Sequence, residues 1–170
     1  DRMARNGKPC RWDGSILERA VAQVESTGEF GATNWSERAV VRVPFQDVAE
    51  DFLVAQTAHE WVLTLRFNLP RGRAKLSTIQ QELGLRPFHE LAKPVLSDQE
   101  RVRVEPGRKG REEVILACHA ASELETEGFA RFLDRMIAIA LGLETEGKAA
   151  FADARKFLAA GRGKGRKRGD

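Results

Sequence analysis

The side chains with chemistry to offer here are three histidines, two cysteines and a set of basic residues gathered mostly in loops. His59-Glu60 has the composition of an acid–base pair. Neighbouring residues on a strand point to opposite faces, however, so the two converge only if a third element brings them together. The alternative is turn chemistry at a hairpin tip. His119 ends an apolar run just before a helix start. Like His89, which lies in a proline-flanked loop, it has no partner nameable from spacing. Cys10 and Cys118 are too few for a disulfide framework and lack metal-ligand spacing. Cys118 occupies an apolar strand position and reads as a buried, reduced thiol, which suits the cytosol. No catalytic residue and no metal ligand is assigned.

The basic residues carry a sharper expectation. Arg71-Gly72-Arg73 with Lys75, and Arg108-Lys109-Gly110-Arg111, form two basic loops. On one rim they make a phosphate-contacting patch, because Lys and Arg displace the counterions of a nucleic acid. Apart, they are solvated loop tips. Glu105, Glu112 and Glu113 flank the second loop and weaken its field. Residues 161–170 carry Arg162, Lys164, Arg166, Lys167 and Arg168 against Asp170 alone, which exceeds the whole net charge of +3 and leaves the body slightly acidic. Gly-interleaved like charges cannot fold alone, so the tail reads as disordered, either a salt-sensitive polyanion contact or a solubilising terminus. Asn34-Trp35-Ser36-Glu37-Arg38 is a third candidate: a contact rim, or a turn whose Trp plugs the core edge.

The elements that must position these residues follow from periodicity. Ser15 and Glu18 match a capping box before Ile16, Leu17, Ala20, Val21 and Val24, predicting a helix over 15–27 that stops at Gly28. Strands are predicted over 38–43, 51–56 and 60–67, the last with Trp61, Leu63, Leu65 and Phe67 on one face. Thr57-Ala58-His59 is short enough to make 51–67 a hairpin. A short helix over 76–83 is capped by Ser77, and 86–98 reads as an ordered loop. Residues 101–105 and 113–118 form a second hairpin, with Val102 and Val104 inward. Ser122 to Glu125 opens the longest helix, through Phe129, Phe132, Leu133, Met136, Ile137 and Leu141, and a weaker helix is expected over 148–159.

The order α-β-β-β-α-β-β-α predicts an α+β fold, an open antiparallel sheet of about five strands with helices on one face. Its expected boundaries are a linker over 1–10, an accessory domain over 11–143, a C-terminal helix over 144–160 and the basic tail. No apolar run is long enough to span a bilayer, and no secretory signal opens the chain. Asp1 in place of Met reads as the start of an excised segment.

Several runs together resemble one family. They are Arg11-Trp12-Asp13, Asn34-Trp35-Ser36-Glu37-Arg38-Ala39-Val40-Val41, Glu60-Trp61-Val62-Leu63-Thr64-Leu65-Arg66-Phe67 with Pro70-Arg71-Gly72, Leu83-Gly84-Leu85-Arg86-Pro87, Arg101-Val102-Arg103-Val104, and Glu113-Val114-Ile115-Leu116 with His119 and Phe129-Ala130-Arg131-Phe132-Leu133. This pattern, over roughly residues 11–141, resembles the C-terminal accessory domains of UvrA-like proteins, the ABC-class components of the excinuclease. The resemblance implies a cytoplasmic parent ATPase of the ABC class, acting on DNA in nucleotide excision repair. It places ATP and zinc in the parent only. This chain has no phosphate-binding loop, ABC signature or paired C-x-x-C to which either can be carried over.

The expected function is therefore a non-catalytic accessory domain that contacts DNA through Arg71, Arg73, Lys75, Arg108, Lys109, Arg111 and the tail. The alternative is a protein-interaction module docking on the parent ATPase core through the polar sheet face, with Asn34, Trp35, Arg38 and Arg66 at the contact. A small-ligand site using His59 or His119 is a third reading, which requires them to meet in a cleft.

Overall fold

A computed structural model describes residues 2–91, 99–124 and 127–143. Helix α1 (Gly14–Ser26) precedes strands β1 (Val40–Pro44), β2 (Asp51–Gln56) and β3 (Leu63–Pro70). Helix α2 (Leu76–Leu83), strands β4 (Val102–Pro106) and β5 (Arg111–Cys118), and helix α3 (Glu127–Ala140) follow. The five strands form one sheet in the order β1-β2-β3-β5-β4, with every neighbouring pair antiparallel. This is the α+β architecture that the element order implies.

The core lies on one side of the sheet. Leu63, Leu65, Phe67 and Leu69 alternate inward along the central strand and are fully buried. They share one cluster with Ile16, Ala20 and Val24 of α1, Ile79 of α2, and Phe129, Phe132 and Met136 of α3. Phe52 and Leu53 are both buried because the β1–β2 register shifts between Val43 and Pro44, a bulge that turns two successive side chains inward. Phe52 thereby packs its ring 4.4 Å from that of Phe30. Cys118 is buried in this core, and burial pushes its thiol up to about 12.

Several boundaries differ from the sequence expectation for identifiable reasons. Asp13, not the Ser15–Glu18 box, caps α1: its Oδ1 accepts from the Ser15 amide at 3.0 Å. Hydrogen bonds from the Ser15 hydroxyl and amide hold the Asp13 carboxyl below its usual range. The central strand begins at Leu63 because His59 closes a turn over Trp61 and Val62. Trp61 is therefore not on the core face; it packs with Val62, Phe88, Ala117 and Leu91 in a separate small cluster. Lys75, without a side-chain cap bond, stands at the cap of α2 in place of Ser77. Val104 is only half-buried. The long helix starts at Glu127, after a separate 3-10 turn at Ala121–Glu123. A second 3-10 turn, Phe88–Glu90, lies within the expected loop.

Residues 2–10, read as linker, lie against the domain. Met3 bridges Pro9, the Arg5 amide donates to the Ala58 carbonyl at 2.9 Å, and Arg2 reaches the Thr57 hydroxyl at 3.0 Å. Among the described residues, no helix is long and apolar enough to cross a membrane. The expected helix at 144–160 and tail at 161–170 lie outside the described residues.

Candidate nucleic-acid interface

Register decides where the basic loops go. β3 and β5 pair antiparallel with Pro70 opposite Arg111, so the chain leaving β3 and the chain entering β5 share one end of the sheet. The Arg71 amide donates to the Gly110 carbonyl across this join at 3.2 Å. The β4–β5 turn closes on itself, with Gly107 N–H to Arg111 O at 2.9 Å and Arg111 N–H to Arg108 O at 3.1 Å. Lys109 and Gly110 both take left-handed backbone there, with φ of 52° and 72°. On the β3 side, Glu112 Oε1 accepts from the Arg73 amide at 3.1 Å and the Ala74 amide at 2.9 Å.

The two loops are thus one rim. Arg71, Arg73, Lys75, Arg108 and Lys109 are all exposed on it. Among the described residues, the side chains of Arg71, Lys75, Arg108 and Lys109 enter no ion pair. Arg111 differs from this group. Its guanidinium donates to Asn68, lies 3.9 Å from Glu50 and sits 5.3 Å from the Phe45 ring centroid. Its work is to tie the strand ends together, so it is a poor candidate for ligand contact.

The sheet face away from the helices is polar but self-neutralised. Arg42, Val54, Arg66, Ile115 and Arg103 stand opposite one another in a row across all five strands. Carboxylates answer the arginines. Arg42 meets Glu37 at 2.8 Å and Asp51 at 2.9 Å, Arg66 meets Glu113 at 3.3 Å and Glu105 at 3.8 Å, and Arg103 also bonds Glu105. The hydrogen bonds that Arg42 donates to Asp51 and then to Glu37 raise its pKa above the usual value.

The residues expected at a partner contact do not come together. Asn34, Trp35 and Arg38 lie along the β1 edge, where Asn34 exchanges backbone hydrogen bonds with Arg42. Asn34 Oδ1 also accepts from the Ser36 amide and hydroxyl, closing a tight turn. That turn leaves Trp35 45% exposed, so it does not plug the core. Arg66 stands on β3, three pairings away from Asn34 through Arg42 and Val54, about 14 Å at the usual strand spacing, and is held by Glu113 and Glu105.

The histidines serve the main chain. His59 Nδ1 accepts from the Trp61 and Val62 amides, each at 3.1 Å. His119 Nδ1 lies 2.9 Å from the Trp61 carbonyl, a contact that requires the proton on that nitrogen. Both rings flank the Trp61 segment, but Glu60 turns away to Asn6 at 2.8 Å and Arg11 at 3.0 Å. The Asn6 hydrogen bond foremost, then Lys8 and Arg11, hold the Glu60 carboxyl below its usual range. His89 is exposed in its 3-10 turn. Among the described residues, no three His, Cys, Asp or Glu side chains gather as metal ligands.

Sequence reasoning missed Glu112 as a site residue. The signal was present: Glu112, Val114, Leu116 and Cys118 share the inward phase of one strand, and a carboxylate in that phase needs a buried donor. Arg162, Lys164, Arg166, Lys167 and Arg168 lie outside the described residues. Compared with protein-family models, with curated proteins and with solved structures, the chain matches none.

Proposed function

We infer that this chain contributes a sequence-indifferent nucleic-acid contact, with no chemistry of its own, through the rim at the Pro70 and Arg111 end of the sheet. The observation that carries the reading is the Arg71-to-Gly110 hydrogen bond, which joins two basic loops into one surface. Charge balance supports the same place. The arginines of the sheet face are neutralised by Glu37, Asp51, Glu105 and Glu113, so that face offers little free charge and the rim offers more. The loop segments 71–75 and 106–111 themselves contain no aromatic residue for base stacking, which favours phosphate contacts over base readout. Resemblance to the accessory domains of UvrA-like excinuclease proteins supports DNA as the polyanion and a cytoplasmic ABC-class ATPase as the parent. Arg162, Lys164, Arg166, Lys167 and Arg168 add a second contact in this reading.

The test is fluorescence anisotropy of labelled DNA duplexes of several sequences with the full chain. The four rim cations alone predict a fall of about a hundredfold between about 50 mM and about 200 mM salt, which the tail's contacts steepen, with similar affinities for all sequences at the lower salt. An absence of binding at the lower salt contradicts the reading.

Exposure of Trp35 beside the exposed Arg38 favours a second reading, a protein contact at the β1 edge, for which the parent ATPase core is the candidate partner. Under it, Trp35→Ser abolishes co-purification with that core and leaves DNA affinity unchanged. Retained co-purification removes it.

A further inference from the structure

Glu112 occupies an inward register position on β5, opposite Leu69 and Pro106, and is only 7% exposed. A buried carboxylate is costly unless hydrogen-bonded. Here one oxygen accepts from the amides of Arg73 and Ala74, 39 and 38 residues away in sequence. Both donors belong to the segment between β3 and α2 that carries Arg71, Arg73 and Lys75. The acceptor sits one residue after Arg111, where the Arg108–Lys109 turn enters β5. The bonds therefore hold one basic loop at a fixed place beside the other.

We propose that Glu112 is a positioning residue for the nucleic-acid backbone: an acid that raises the affinity of a basic surface by holding its two loops as one. The proposal rests on the rim reading above and deepens it. A loop already ordered in the free protein loses less freedom when it engages phosphates than a loop that must be ordered on contact. Net charge argues for the opposite outcome. Removing an anion beside Arg71, Arg73, Lys75, Arg108 and Lys109 strengthens polyanion binding if electrostatics alone decides. The sign of the effect therefore separates positioning from simple charge.

The experiment is anisotropy of a labelled DNA duplex at about 50 mM salt with the full chain and three variants. Glu112→Ala raises the net charge by one and removes the acceptor. Glu112→Asp keeps the charge but shortens the reach by one methylene. Glu112→Gln raises the charge and keeps an acceptor oxygen. The expected result is about three- to tenfold weaker binding for Glu112→Ala and Glu112→Asp, with Glu112→Gln no weaker than wild type. Amide resonances of Arg73 and Ala74 shift in the two weakened variants and hold in Glu112→Gln. If Glu112→Ala does not fold, the Asp and Gln variants decide alone. Wild-type affinity or better in Glu112→Asp overturns the role of Glu112 while leaving the rim intact. A wild-type chain that binds no duplex removes the rim reading and this inference with it.

Discussion

Arg101 and Glu123 form a bidentate pair, Nη1 to Oε1 at 3.1 Å and Nη2 to Oε2 at 2.8 Å, with the guanidinium 4.1 Å from the centroid of the Phe88 ring. Arg101 also reaches the Ala117 carbonyl at 2.9 Å and the Arg86 carbonyl at 2.8 Å. One side chain thus ties the start of β4 to the end of β5, to the loop after α2 and to the turn before α3. Removing one partner of a buried pair leaves the other charged and unpaired, so Glu123→Ala is expected to cost about 3 kcal/mol. Urea unfolding measures it, and a loss below about 1 kcal/mol contradicts the assignment.

Acid titration gives a second expectation. Burial acts to raise the Glu123 carboxyl, but the hydrogen bonds and charge of Arg101, with the Ala120 amide, together hold it below its usual range. Asp13 and Glu60 are lowered as well. The unfolded chain therefore binds more protons than the folded one through the acid range. The stability these groups contribute is complete above the ordinary carboxylate pKa of about 4 and is lost as pH falls through the lowered folded values. Urea midpoints should be level from about pH 7 to 5.5 and fall below about pH 4, with a shallower fall in Glu123→Gln. Identical acid slopes in the two proteins contradict this.

The sheet face supplies a third. Glu105 and Glu113 stand directly opposite each other on β4 and β5, and Arg66 lies 3.8 Å from one and 3.3 Å from the other. Facing like charges destabilise a strand pair, and Arg66 screens them. All three are partly exposed, so Arg66→Ala should cost no more than about 1 kcal/mol, less at high salt. DNA affinity should change less than about twofold, because the row contributes no net cation. A large loss of affinity moves the interface from the rim to the face.

Local pattern made the fold legible and left the joins obscure. Alternation through Leu63, Leu65 and Phe67 marked the central strand, and Gly28 and Gly84 marked helix ends. What failed were choices between equally good local partners. Asp13 outcompeted Ser15 as a cap, and the His59 ring took two amides that a strand would have used. The site was half legible for the same reason. Composition located the two basic loops, but only the Pro70–Arg111 register and the inward phase of Glu112 make them neighbours. Arg66 looked like an interface residue because its partners, Glu105 and Glu113, lie 39 and 47 positions on in the chain.

The most direct measurement is the salt dependence of duplex binding by four proteins: the full chain, a variant lacking residues 161–170, a variant with Arg71, Lys75, Arg108 and Lys109 changed to Ala, and the two changes combined. Deleting the tail should weaken binding yet leave a clear salt dependence. Neutralising the rim should lower the log–log slope by about three to four, and the combination should abolish binding. Wild-type affinity and slope in the rim variant, with all binding lost on tail deletion alone, contradict the central claim.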